Sequence, residues 1–208
     1  ELPRKVTERP EEIEVTLPSG REITIKPASV GQDIRTIVSS DQLKAETFFD
    51  VDYRPYTWNS LKETSLYCSI AAGMCDVIIA TREEFDVLEG VDIPENQDDD
   101  VTANYWLKHG SKLVIVKRGN DGSTAYSRNN EKILGEVFPV QPLKTQGAGD
   151  AFAGGVISSL IKGKDVKEAM KYGAGAAAIV VQENSCSEAM PSEEEITKFI
   201  EEYKTRSD

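Results

Sequence analysis

Near the start of the chain, apolar and polar residues alternate on both sides of a short connection. Ile13-Glu14-Val15-Thr16-Leu17 alternates, Pro18-Ser19-Gly20 follows, and Arg21-Glu22-Ile23-Thr24-Ile25 alternates again. Period-two alternation around a glycine-containing connection predicts a β-hairpin. Pro27 ends it, and residues 30–45 are expected to hold a short helix of poor periodicity. From Thr47 the pattern changes to short apolar runs separated by stretches of helical spacing. Phe48-Phe49-Asp50-Val51-Asp52 reads as a buried strand ending in acids, Asp76-Val77-Ile78-Ile79-Ala80 as a second, and residues 112–117 as a third. Between them the spacing predicts a helix over 59–75, with apolar Leu61, Leu66, Ile70 and Ala71, and another over 82–89. Thr81 is placed to cap the latter, and Glu83 and Glu84 sit in its first turn, where the helix dipole favours anions. An acidic loop, 95–100, precedes a helix over 101–108. Residues 123–127 and 133–140 are expected to pair as antiparallel strands about a turn at Asn129-Asn130. Helices follow over 149–161, 166–182 and 193–204, the last capped by Ser192 with Glu195 completing a capping box.

Near-continuous apolar strands alternating with helices predict an α/β fold with a parallel sheet covered on both faces. In such sheets ligands bind off the carboxyl ends of the strands. Those ends carry Asp50-Val51-Asp52, Ala80-Thr81 and Lys117-Arg118-Gly119. No internal repeat or low-complexity tract interrupts the pattern.

Composition narrows the chemistry. The 208 residues are 39% hydrophobic and 29% charged, ordinary for a folded domain and against disorder. The apolar runs are far shorter than the roughly 20 residues that cross a bilayer. No basic-then-apolar leader opens the sequence, so a soluble, cytoplasmic protein is expected. Twenty-four basic against 36 acidic side chains give a net charge of −12, which opposes a nucleic-acid partner. Cys68, Cys75 and Cys186 cannot all pair and show no CxxC spacing, which suits buried thiols in a reducing compartment. His109 is the single histidine, at an expected helix end, so a multi-histidine zinc site is excluded. Chemistry must run on carboxylates, lysines, hydroxyls and backbone amides.

Three segments offer that chemistry. Thr145-Gln146-Gly147-Ala148-Gly149-Asp150 leads directly into an apolar helix. Its glycines permit a tight turn, and amides converging on a helix start suit a phosphate or a developing oxyanion. Asp150, in the first turn, is placed to accept a proton from an attacking hydroxyl; locally, it equally fits a helix cap. Lys117-Arg118-Gly119-Asn120-Asp121-Gly122 lies at a strand end, where glycines let a nucleotide approach and Lys117 or Arg118 would face phosphate. Asn-Asp-Gly is also plain turn chemistry. Thr81-Arg82-Glu83-Glu84 sets a carboxylate after another strand end, suited to a Mg2+-bound water or to capping alone.

Together and in this order, the three segments resemble the ribokinase-like (PfkB-type) carbohydrate kinases. Gly147-Ala148-Gly149-Asp150 is similar to that family's GAGD signature, which implies Asp150 as catalytic base and the amides around Gly147, Ala148 and Gly149 as an anion hole. Lys117 to Gly122 resembles the family's T-x-G-x-x-G segment with lysine replacing threonine, implying that Lys117, Gly119 and Gly122 contact ATP. Thr81 to Glu84 resembles its N-x-x-E motif with threonine replacing asparagine, which implies Thr81 and Glu84 beside the nucleotide and Glu84 tied to Mg2+. Asn184 to Pro191 corresponds to the loop beside the adenine and a monovalent-cation site, with Asn184 at the nucleotide. Phe48 to Trp58 and Cys75 to Asp86 look like the members of inositol catabolism that phosphorylate 5-dehydro-2-deoxygluconate. That resemblance turns Arg54 toward the substrate carboxylate or the transferred phosphate; the local alternative is a surface arginine paired to Asp50 or Asp52.

The implied fold is the carboxyl-terminal portion of a ribokinase-like three-layer sandwich with an added N-terminal β-hairpin segment. The resemblance runs from about Thr47 to the end of the chain, dividing it into a segment 1–46 and a nucleotide-binding kinase core 47–208. Residues 1–46 hold none of the family's glycine-rich sugar-binding motifs, and their hairpin is a candidate lid or oligomerisation element. The implied activity is ATP-dependent phosphorylation of a sugar acid. The same residues also fit a shortened, non-catalytic nucleotide-binding remnant, or a homodimer in which the hairpin closes over a neighbour.

Overall fold

The computed structural model describes residues 13–16, 22–25, 46–185 and 187–207. The expected helix over 30–45 and Cys186 lie outside these residues. Ile13–Thr16 (β1) and Glu22–Ile25 (β2) pair antiparallel with Ile13 opposite Ile25, the hairpin that the alternation predicts. It belongs to one unit of the chain and residues 47–208 to a second.

The second unit is built on a five-stranded sheet of order β3-β4-β5-β6-β7. Its strands are Phe48–Asp50 (β3), Val77–Thr81 (β4), Leu113–Lys117 (β5), Ser123–Ser127 (β6) and Lys132–Leu134 (β7). The first three run parallel and the last two return antiparallel. Helices Leu61–Ala72 (α1), Arg82–Leu88 (α2) and Asp99–Lys108 (α3) connect the parallel strands. Ala148–Ile161 (α4), Val166–Val180 (α5) and Glu193–Ser207 (α6) follow the sheet.

Strand periodicity sorts the core into two layers. Ile78, Ala80, Val114, Val116 and Tyr126 face one side and pack with Ala72, Phe85, Leu88 and Trp106 of α1, α2 and α3. Val77, Ile79, Leu113, Ile115 and Ala125 face the other and pack with Phe152, Val156, Ala169 and Met170 of α4 and α5. Helices therefore cover both faces of the sheet, the expected three layers. A third cluster, with Phe138, Val180, Ile196 and Ile200, seats α6. No helix among the described residues is long and apolar enough to cross a membrane.

Three elements depart from their expected form. Helix α1 buries Thr64, Ser65, Cys68, Ala71 and Ala72, whereas Leu61, Leu66 and Ile70 point outward and are at least half exposed. Small side chains let α1 approach the sheet and α2 closely, and Ser65 Oγ donates to the carbonyl of Leu88 at 3.3 Å. Helix α3 starts at Asp99, because Asp98 caps it by accepting from the Asp100 amide at 2.8 Å. The acids assigned to a loop thus occupy its first turn, where the dipole favours them. Strand β7 ends at Leu134; beyond Gly135 the chain leaves the sheet and Phe138 turns into the third cluster. The caps at Thr81 and Ser192 form as the sequence predicts, each as a reciprocal capping box. His109 ends α3, its Nδ1 at 2.7 Å from the Tyr105 carbonyl.

Candidate active site

The parallel register sets Thr81 of β4 beside Lys117 of β5, and β3 flanks them with Asp50. Each is the last residue of its strand, so three chemically distinct side chains gather at one carboxyl edge. Lys117 is buried to 9% exposure, and its Nζ lies 3.1 Å from Asp50 Oδ1. A Cβ at Gly149 would stand 3.5 Å from the same Nζ. The lysine ammonium therefore lies against the turn that opens α4.

That turn needs glycine. Gly147 sits in the left-handed region at φ 83°, a conformation that costs an ordinary L-residue roughly 1–2 kcal/mol. Its carbonyl accepts from the Ala151 amide at 2.9 Å, and the Ala148 amide donates to the Thr145 carbonyl at 3.2 Å. One of the three amides assigned to an anion hole is thus engaged within the turn. Asp150 lies in the first turn of α4 and is exposed. Beside it a cavity of about 220 Å3 opens between α4, α5 and the start of α6, walled also by Met190 and Pro191.

Glu84 is held on both sides. Oε2 accepts the Thr81 amide at 2.8 Å, closing the capping box, and Oε1 accepts the Tyr53 amide at 3.0 Å. The carboxylate so ties the end of β4 to the segment after β3. Burial pushes the Asp50 carboxyl above its usual range; Lys117 opposes the rise, and the Glu84 and Asp52 charges add to it. Asp50, Asp52, Glu84 and Lys117 thus form one electrostatic group. Among the described residues no cluster of three His, Cys, Asp or Glu side chains makes a metal cage. Among the described residues Glu84 accepts these two hydrogen bonds, and the remaining lone pairs of its carboxylate suit a metal-bound water. This fits Mg2+, which retains several waters and is held by one or two carboxylates together with phosphates.

The glycine segment after β5 forms a 3-10 turn, Gly119–Asp121, closed by the Arg118 amide donating to Gly122 at 2.8 Å. Gly119 has φ 55° and open space where a side chain would be, so its backbone is approachable. Gly122 has φ 89° and would drive a Cβ to 2.8 Å from Val137, which makes it a packing glycine. Arg118 turns away from the site: its guanidinium grips Asp99 through Nε at 2.7 Å and Nη2 at 2.8 Å. Arg54 pairs with Asp52 at 2.6 Å on the surface, beside Tyr53. Asp52 itself has φ 39°, a backbone setting uncommon outside glycine. Asn184 is exposed in the turn after α5.

The structure therefore brings Lys117, Glu84, Gly149 and the start of α4 to one strand edge, with Asp50 as an added member. The sequence offers Arg54 as a local partner for Asp50 or Asp52; Arg54 takes Asp52, and Asp50 pairs instead with Lys117. Lys117 is 67 residues away from Asp50, and only the strand order makes them neighbours.

The chain is similar to known proteins in sequence and in fold. Residues 34–193 match the model of the pfkB family carbohydrate kinase. The chain is 48% identical over 157 residues to the 5-dehydro-2-deoxygluconokinase of Geobacillus thermodenitrificans, covering 76% of this chain and 46% of that protein. It is 49% identical over 154 residues to 5-dehydro-2-deoxygluconokinase 1 of Bacillus cereus, covering 74% and 46% respectively. The chain thus spans about half the length of the curated relatives it matches. Among solved structures, an E. coli protein described as a Ribokinase II, in complex with ATP and Mg2+, superposes with a TM-score of 0.69 at 25% identity. That match covers 81% of this chain and 53% of the other. A PfkB protein from Polaromonas sp. gives a TM-score of 0.68 at 28% identity, over 82% and 52% of the two chains.

Proposed function

The chain belongs to the pfkB family of carbohydrate kinases, and on that footing we propose that it carries the nucleotide site and the catalytic base of a kinase acting on 5-dehydro-2-deoxygluconate. The observation that supports this most is the meeting of the Lys117 ammonium with the Gly149 turn, at the head of the helix that bears Asp150. The names of the relatives at 48% identity support the acceptor.

In the proposed reaction an acceptor hydroxyl attacks the γ-phosphorus of ATP. Asp150 takes the hydroxyl proton as the new O–P bond forms, the bond to the β-phosphate oxygen breaks, and ADP leaves. Negative charge spreads over the transferring oxygens, and Lys117 together with amides of the α4 turn would meet it. Glu84 would hold phosphate-bound Mg2+ through its waters, and that ion would neutralise further charge when bound. Gly119 leaves room for the nucleotide, and Thr81, Gly122 and Asn184 complete its surroundings. Arg54 would reach the acceptor carboxylate or the transferred phosphate by releasing Asp52. A monovalent cation beside residues 184–191, a homodimer closed by the β1–β2 hairpin, and a cytoplasmic location with its supply of ATP belong to the same proposal.

Asp150→Asn tests the base. Turnover should fall about 10²- to 10⁴-fold, the range for one general base, while the dissociation constant for Mg-ATP stays within about twofold. Unchanged turnover would remove Asp150 from the reaction. Mg-ATP binding by the unaltered chain without any acceptor-dependent turnover would make it the non-catalytic nucleotide binder that the sequence also fits.

A further inference from the structure

Beside the site lies a buried polar cluster that the proposed reaction does not use. Arg82 follows Thr81 and Arg118 follows Lys117, and Thr81 and Lys117 are partners in the β4–β5 register. Two guanidinium groups thus leave adjacent strand ends side by side. Asp99, the first residue of α3, accepts from both: Oδ1 from Arg82 Nη1 at 3.1 Å and Arg118 Nη2 at 2.8 Å, Oδ2 from Arg118 Nε at 2.7 Å.

The Arg82 half is fixed. Its side chain is 5% exposed, and it donates to Asp86 at 3.0 Å, Glu89 at 3.0 Å and Thr102 at 2.7 Å. Glu89, 1% exposed, also accepts from Asn96, Thr102 and Trp106. Every buried side-chain N or O atom among the described residues has a partner. A charged cluster this complete is rigid, because breaking one member leaves an uncompensated charge in a poorly solvated site. The Arg118 half differs: its side chain is 39% exposed and lies on the 3-10 turn that carries Gly119.

We infer that Asp99 is a positioning residue for the nucleotide: it clamps the Arg118–Gly122 turn to the fixed Arg82 anchor and so holds that turn in place beside Lys117 at the end of β5 and Glu84 in the first turn of α2. The bidentate fork is the working part, since two parallel hydrogen bonds fix the direction of Arg118 as a single charge contact cannot. The inference rests on the kinase proposal, in that the clamped edge is where Mg-ATP would sit.

Mg-ATP titration by calorimetry, with thermal unfolding measured alongside, tests it on the full chain. Arg118→Lys keeps the charge and loses the fork, and leaves the buried Arg82–Asp99 pair intact. It should weaken Mg-ATP binding about tenfold, the scale of one charged hydrogen bond, with little change in unfolding temperature. Asp99→Asn should weaken binding at least as much, and the double variant no further than the weaker single, because both act through one contact. Wild-type affinity in Arg118→Lys, or losses in the two variants that multiply in the double, would overturn the clamp. A wild-type chain that binds no Mg-ATP would instead overturn the kinase proposal, and the clamp with it.

Discussion

Asp50 and Asp76 stand at opposite ends of neighbouring parallel strands and titrate in opposite senses. Burial raises Asp50 at the site edge, and Lys117 compensates only in part. Asp76, just before β4, is also pushed up by burial. Hydrogen bonds from Lys112 and Thr47 outweigh that and hold it below the usual carboxylate range. Its Oδ2 takes the Thr47 amide at 3.0 Å and the Thr47 hydroxyl at 3.1 Å, which ties the starts of β3 and β4 together. Linkage then gives two signs. A raised folded-state value means stability is lost as pH climbs from the unfolded carboxylate value, about 3.9, through the folded one. A lowered value means stability is present above about 3.9 and lost as pH falls through the folded value. Unfolding free energies over roughly pH 3 to 7 should show the wild type losing stability relative to Asp50→Asn as pH rises, and gaining relative to Asp76→Asn. A pH-independent difference in either pair would contradict the assignment. Such roles were only half legible in the sequence. The acids ending β3 were visible, but their partner depends on strand order. Arg82 reads in the sequence as one more helix-start residue, and nothing local marks it as the buried hub that it is.

At the scale of elements, the glycines of α4 carry two different messages. A Cβ at Gly155 would lie 2.9 Å from Gly173 Cα and 3.0 Å from the Tyr172 carbonyl of α5, closer than real Cβ atoms come to backbone. Backbone-to-backbone contact thus anchors α4 on α5 and fixes the helix that presents Asp150. Gly154, one residue earlier, has open space around its would-be Cβ. Gly154→Ala should therefore stabilise the chain by about 0.5–1 kcal/mol through helix propensity. Gly155→Ala should destabilise it by about 1–3 kcal/mol despite the same propensity gain, because the helices must move apart. Denaturant midpoints of the two variants check this; equal shifts would remove the close contact. Element types and caps were legible because capping boxes, apolar strands and turn residues are local signals. The inward face of α1 was not. Its leucines and isoleucine fit a helical stripe, yet Thr64, Ser65 and Cys68 face the core, since close packing against the sheet selects small side chains.

The chain holds a hairpin unit and a layered core, and in the core the strand ends, the α4 turn and the Arg118–Asp99 pair gather at one edge. Motifs spaced over some seventy residues announced that edge, because each combines glycine backbone freedom with one charged side chain at a strand or helix end. The acceptor side carries no comparable local signature in residues 1–46, and the chain spans about half the length of the curated relatives. In the proposed function the core of this chain holds a nucleotide at that edge. Calorimetric titration of Mg-ATP into the purified chain tests it most directly. Saturable binding at one site, abolished when Lys117→Met removes the charge against the Gly149 turn, is the result predicted. Absence of saturable binding, or binding indifferent to Lys117, would contradict it.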